Sequence, residues 1–387
     1  MPGFELVGKE EQKELNEIFE TSNGVLFAHG FNNLRNDRFR VREFENEFSK
    51  EIGSKYSQTV TSGTVAQLVA MKAMGIKAGD EVITQAFTFV ATVEAILAID
   101  AVPIIVDVDD SFNMDPKELE NAITDKTKLI VPVHMLGNPC DMDSIIAIGK
   151  KYNIPILEDA CEGLGGSYKG KMLGTLTEAG VFSLDFAKTI TTGEGGVICT
   201  DIHSIYKYCK EFQDHGHENN PNLPRGMDSR KFYGMNYRMN EMQGAIGLAQ
   251  IKKLNKIVSR NRYIKSKLIE AIDFNKVKQR TINDLKGDLA DTLIFYFETE
   301  DKSNVFLKKY QAEGYHSKNV PDAIDWHFSG TWNHMFEGTP YEKNWSTIWV
   351  KTANLLRRSI ALPVYVNQTE EEITRHVEVL KSIFESL

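Results

Sequence analysis

Three short runs decide the fold: Ile154-Pro155-Ile156-Leu157-Glu158-Asp159-Ala160, then Ala179-Gly180-Val181-Phe182-Ser183-Leu184, then Gly196-Val197-Ile198-Cys199-Thr200. Each is apolar, rich in Val or Ile and of strand length, the pattern of a strand covered on both faces. The pattern recurs upstream at Glu81–Thr84, Pro103–Val108 and Lys128–Val133. Helical patterns such as Val65–Met74 and Ser144–Tyr152 separate several of these runs, as in βαβ units of a mostly parallel sheet. Residues from about 50 to 250 therefore read as one large α/β domain.

Beyond Asn240 the pattern changes. Glu241–Ile272 carries apolar residues at helical spacing and no proline, which predicts one long helix joining two domains. The strand-like Asp291–Glu298 and the helical Asn304–Glu313 and Glu370–Leu387 predict a smaller α+β domain closing over the first. The expected division is 1–250, with an N-terminal helical segment, and 251–387.

The 387 residues suffice for two to three domains, and 42% hydrophobic with 26% charged residues is an ordinary globular composition. Lys and Arg number 45 against 54 Asp and Glu, a formal charge of −9 that argues against nucleic acid or an anionic membrane as partner. Cys140, Cys161, Cys199 and Cys209 form no CxxC pair, so neither a disulfide framework nor a metal site is expected. The opening MPGFELVGKEEQKELNEIFE is acidic and amphipathic where a secretion signal is basic and then apolar, so the expected setting is cytoplasmic. No uncharged apolar run reaches membrane-spanning length.

Phosphate-loop, dinucleotide, zinc-protease and serine-hydrolase motifs are absent. Three other segments stand out. Thr61-Ser62-Gly63-Thr64 opens a helix, where free N–H groups and the positive dipole end cradle a phosphate; an ordinary N-cap explains the same residues. Glu158 and Asp159 end a strand, where an acid faces a ligand crevice, and either is eligible; a cap on the next helix is the plain alternative. Lys188 follows a strand and precedes the glycine-rich Gly193–Gly196, a place for a Schiff-base lysine as well as for a solvated one. Their occurrence together, in this order, supplies the parts of a pyridoxal 5'-phosphate (PLP) site.

These segments resemble the PLP-dependent sugar aminotransferases of the DegT/StrS family. Ser62-Gly63-Thr64, Thr88-Phe89-Val90-Ala91-Thr92, Glu158-Asp159-Ala160, Ser183 through Lys188 with Gly193–Gly196, and Asn236-Tyr237-Arg238-Met239 match its motifs. The resemblance implies the aspartate-aminotransferase-like type I fold, with a large mostly parallel mixed sheet and a smaller C-terminal α+β domain. It implies that Lys188 forms the Schiff base, Asp159 pairs with the ring nitrogen and Phe89 stacks on the ring. Ser62, Gly63, Thr64 and Ser183 would hold the phosphate, joined by Asn236 from a second subunit, so that the sites belong to a homodimer. Glu162 stands where many members carry glutamine near the cofactor's phenolic oxygen, and a carboxylate there needs a cation or a proton. A related branch dehydrates sugars with histidine in place of the lysine; Lys188 argues against it.

Within the family the chain also resembles the branch that makes 8-amino-3,8-dideoxy-manno-octulosonate, an amino analogue of a lipopolysaccharide sugar. The residues concerned are Met1–Leu6, Arg35-Asn36-Asp37-Arg38, Asp214-His215-Gly216-His217, Lys188-Thr189-Ile190 and Trp326-His327 with Trp332 and His334. This implies a carboxylated eight-carbon sugar aldehyde as substrate and glutamate as amine donor. Both substrates then need local cations, for which Arg35, Arg38, Arg225 and Arg230 are candidates, with His215, His217, Trp326 and His327 as further sugar contacts. A nucleotide-linked 3-keto or 4-keto sugar is the alternative substrate. A noncatalytic PLP-binding sensor is the alternative of another kind.

Overall fold

The computed structural model describes residues 3–220, 222–223, 226–342 and 345–387. The central sheet is built from β1 (Tyr56–Val60), β2 (Glu81–Gln85), β3 (Val102–Val106), β4 (Thr127–Ile130) and β5 (Leu157–Asp159). A two-strand hairpin, β6 (Ser167–Tyr168) and β7 (Lys171–Met172), precedes its last members, β8 (Ala179–Ser183) and β9 (Gly196–Thr200). Strands β3-β2-β4 pair in parallel, β5 pairs in parallel with β8, and β9 runs antiparallel to both β8 and β1. Parallel bridges Ile130–Ile156 and Val133–Asp159 join the two groups, giving the order β3-β2-β4-β5-β8-β9-β1.

Every residue of β8 and β9 is buried, because helices cover the sheet on both faces. The reversal of β9 has a local cause. No helix lies between Ser183 and Gly196, and a parallel return requires a crossover segment. The connection instead folds back on itself: Leu184 N–H donates to Gly195 O at 2.9 Å and Thr192 N–H to Leu184 O at 3.0 Å. Lys188 sits on this loop.

The covering helices are α1 (Lys9–Thr21), α2 (Arg40–Ile52), α3 (Gly63–Ala73), α4 (Ala91–Leu97), α5 (Pro116–Asn121), α6 (Met142–Tyr152), α7 (His203–Phe212) and α8 (Glu241–Ile251). Helix α9 (Leu254–Ile269) follows α8 after a break at Lys252–Lys253, so the single long helix expected over 241–272 is two. Lys253 ties the junction down, with Nζ 2.6 Å from Leu6 O and 2.6 Å from a Glu11 carboxylate oxygen. From there α9 turns away to cover a second sheet.

That sheet is antiparallel, ordered β10 (Lys278–Gln279), β11 (Thr292–Tyr296), β12 (Ser359–Pro363). With α10 (Glu300–Ala312) and α12 (Glu370–Glu385) it encloses an aromatic core of Phe295, Phe297, Phe306, Tyr310 and Phe384; α11 (Val350–Arg357) leads into β12. Among the described residues no helix is long and apolar enough to cross a membrane.

Arg35, expected at the substrate, is instead structural. It is fully buried, with its guanidinium paired to Glu241, donating to Arg38 O at 2.6 Å and to Phe27 O at 2.5 Å. Glu241 also accepts the N–H groups of Arg40 and Val41, at 2.7 and 3.2 Å, and so fastens α8 to the start of α2. Beside it Gly247 leaves room for the Phe44 ring, which an added Cβ would meet at 2.8 Å. Burial already pushes the Glu241 carboxyl above its ordinary range despite these donors. Replacing Arg35 by Met strands that carboxylate, and the expected cost is about 3–5 kcal/mol of stability, read as a fall in the urea midpoint. Substrate affinity of the folded fraction stays unchanged; a raised KM with normal stability contradicts this placement.

Candidate active site

The carboxyl ends of β5 and β8, the first turn of α3 and the Lys188 loop meet at a cleft of about 610 Å³. On one wall Ser62 caps α3, its hydroxyl accepting the Val65 N–H at 3.2 Å. Helix geometry leaves the Gly63 and Thr64 N–H groups with no carbonyl one turn back, aimed into the cleft mouth with the positive end of the dipole. Gly63 is required by packing: an added Cβ would lie 2.8 Å from Ser183 Cβ and 3.2 Å from Cys161 Sγ. The cap and the anion cradle are thus the same residues, with Ser183 alongside.

Asp159 and Glu158 part company because successive strand residues point to opposite faces. Glu158 is buried behind the sheet, accepting N–H groups of Gly174, Leu176 and Thr177 at 2.7–3.0 Å, with His134 3.1 Å away. Asp159 faces the cleft. Its carboxylate accepts the Thr92 hydroxyl at 2.8 Å and the Cys161 N–H at 3.1 Å, and burial holds its carboxyl above the ordinary value. A cation placed against it would relieve that penalty. Thr88, just before α4, and Thr92, in its first turn, bring their hydroxyls to 2.7 Å from each other, so Thr88 supports the Thr92 hydroxyl that Asp159 accepts.

Lys188 enters from the β8–β9 loop, its Nζ 3.2 Å from Glu162 Oε1 and 5.8 Å from the Phe89 ring centroid. Glu162 Oε2 accepts the Leu136 N–H at 3.1 Å. Burial alone would depress the Lys188 ammonium, but the acidic groups around it, Glu162 foremost and Cys161 and Asp185 with it, together hold the amine above its ordinary value. For Glu162 burial would raise the carboxyl, and Lys188, followed by His327 and Lys318, holds it below. The carboxylate therefore has the cation that its position demands.

Phe89 presents an exposed ring to the cleft, backed by His327 at 5.4 Å and by Trp326, stacked at 6.3 Å. His327 donates from Nδ1 to Ala323 O at 2.7 Å and accepts at Nε2 from Asn319 at 3.1 Å; burial keeps its ring below the usual pKa. A flat apolar face, a buried carboxylate, an amine and an anion cradle around one space are the donor set that PLP requires.

The structure does not bring every candidate here. Arg38 bridges Glu43 and Glu17 on the surface, His215 lies in an exposed turn, and His217 pairs with Asp228 at 3.0 Å. Asn236 is exposed and bridges to Asp214, outside its own chain's cleft, Arg230 is exposed, and Arg225 lies outside the described residues. Trp332 is core. Conversely, Lys318, Asn319 and Phe4 line the cleft, and only Phe4 had a sequence signal, the opening motif.

The model of the DegT/DnrJ/EryC1/StrS aminotransferase family matches residues 17–381. GDP-perosamine synthase of Escherichia coli O157:H7 is 40% identical over 230 residues, 58% of this chain and 60% of that protein, so the chain spans less than two thirds of it. The spore coat polysaccharide biosynthesis protein SpsC of Bacillus subtilis is 30% identical over 389 residues, 98% of this chain and 95% of its own length. Among solved structures, E. coli GDP-4-keto-6-deoxy-D-mannose-3-dehydratase with bound hydrated PLP superposes with a TM-score of 0.83 at 25% identity, covering 97% of each chain. Family match, fold and donor set agree: this chain belongs to the DegT/DnrJ/EryC1/StrS aminotransferase family, whose enzymes depend on PLP.

Proposed function

We propose that this chain transaminates a sugar carbonyl, taking 8-oxo-3,8-dideoxy-manno-octulosonate to the 8-amino sugar for lipopolysaccharide with glutamate as amine donor. The observation that carries the octulosonate reading is the seat of the opening motif. Gly3 N–H donates to Lys188 O at 2.8 Å, and Phe4 lines the cleft while stacking on Phe186 at 4.8 Å. His327, from the same narrower resemblance, lines the cleft behind Phe89, and its neighbour Trp326 stacks on the Phe89 ring. A second reading, a nucleotide-linked keto sugar, is favoured by the likeness to GDP-perosamine synthase. Asn236, exposed away from its own cleft, suits a contact with the site of a second subunit in a homodimer.

Bound PLP supplies an electron sink for the substrate carbanion. The residues do the rest. The Gly63 and Thr64 N–H groups and Ser183 would hold its phosphate, Asp159 would keep its ring nitrogen protonated, and Phe89 would supply an apolar face for the ring. Lys188 would be the residue that holds the cofactor and, as a free amine, would move a proton at the substrate carbon, with Glu162 at 3.2 Å stabilising the charge it carries. His327, fixed by two hydrogen bonds, keeps Phe89 in place.

Three outcomes test this. Lys188→Ala abolishes turnover of a folded protein, and retained transamination rejects the assignment. Glu162→Gln removes the carboxylate that opposes burial, so the Lys188 amine becomes neutral at lower pH. The pH midpoint for PLP attachment to apoenzyme, followed by absorbance, then moves down; an unmoved midpoint refutes the coupling. With glutamate as donor, the wild-type enzyme aminates the octulosonate aldehyde in preference to nucleotide-linked 3-keto and 4-keto sugars, and exclusive use of the latter selects the second reading.

A further inference from the structure

We propose that Lys318 receives the α-carboxylate of the amino acid donor and sets the cleft's selectivity for acids. Among the described residues lining the cleft, Asp159, Glu162, Asp185, Glu194 and Asp322 are acidic, and Lys188 and Lys318 are the cations. A donor carboxylate entering so acidic a space needs a fixed cation, since a desolvated, unpaired charge is costly. Lys188 is occupied at the reacting centre. Lys318 remains.

Its ammonium has a donor to spare. Of three N–H groups, one goes to Asp291 Oδ2 at 2.8 Å and one to Thr292 Oγ1 at 2.8 Å. Nor is its charge cancelled by Asp291, because that carboxylate also faces buried Arg280. Arg280 lies in turn between Asp291 and Asp288, and Asp288 pairs with buried Lys265. Among the described residues, Lys265, Arg280 and Lys318 share Asp288 and Asp291, and the further carboxylate that Arg280 and Lys318 face, Glu162, is already paired with Lys188, so the row opens into the cleft at Lys318 with its positive charge only partly offset. The pull of Asp291 on the stem and the backbone bond from Lys318 N–H to Ala361 O, 2.8 Å, fix the lysine against β12. Glu162, next to Lys188, also feels Lys318, so both cations address one end of the cleft, amine chemistry at one and carboxylate at the other.

The inference rests on the transamination reading, which supplies an amino acid donor. The test uses PLP-loaded enzyme and two measurements. In Lys318→Met, KM for glutamate rises about 10- to 100-fold, the worth of one charge-assisted hydrogen bond, with kcat changed far less, and Lys318→Arg recovers part of the loss. Calorimetric affinity for glutarate, which carries carboxylates but no amine, falls in parallel. Because Lys318→Met takes from buried Asp291 the cation that hydrogen-bonds it, the double variant Lys318→Met/Asp291→Asn carries the same test with that carboxylate's charge removed as well. Asp291→Asn alone keeps or tightens glutarate binding, since Lys318 loses a competitor. Unchanged glutarate affinity in either Lys318→Met background overturns the proposal whether or not turnover occurs. Absence of glutamate turnover in the wild type overturns the transamination reading instead.

Discussion

A lysine taken out of water tends to shed its proton, and the whole site depends on how that tendency is opposed. Here the opponent is Glu162, one carboxylate in contact with Lys188. Its other oxygen is held by the Leu136 N–H, and the carbonyls of Met135 and Leu136 are held by Arg280 from the second sheet at 3.1 and 2.7 Å. The Lys188 amine is thereby referred to a fixed backbone turn, and that turn to the packing between the two sheets. A glutamine at this position would keep the contact but not the charge, so it is the carboxylate that sets the resting electrostatics of the lysine.

Charge within the cleft is layered. Asp159 lies deepest, bound by a hydroxyl and an N–H, and waits for a cation. Glu162 and Lys188 neutralise each other in the middle. Lys318 stands at the junction with the second sheet, backed by the Asp291–Arg280–Asp288–Lys265 row. An overall charge of −9 conceals this arrangement, because whole-chain charge concerns solubility and long-range partners, whereas recognition is decided by which few groups lose their water.

Sequence patterning made the sheet legible because strands buried on both faces leave uninterrupted apolar runs, as in β8 and β9. Strand direction left no such trace, so the reversal of β9 became visible only from the helix-free loop after Ser183. The break at Lys252–Lys253 was equally silent, since lysine is a good helix former and the cause is a tertiary tie to Leu6 and Glu11. In the site, Ser62–Thr64, Asp159 and Lys188 stood out because their chemistry is bound to local structure. Arg35 misled because its partner, Glu241, is remote in sequence, and Lys318 gave no motif because its role depends on charges gathered from separate elements.

The bond between Gly3 and the carbonyl of Lys188 has a bearing on how the molecule matures. Gly3 has its docking place on a loop synthesised much later, and the clasp of Glu5 on Asn367, at 2.9 Å, joins positions 362 residues apart. Contacts of such long range form late, after their chain-closure entropy has been met by other packing. Completion of the catalytic pocket is therefore coupled to completion of the fold, and a truncated or half-collapsed species would present the lysine without its proper enclosure.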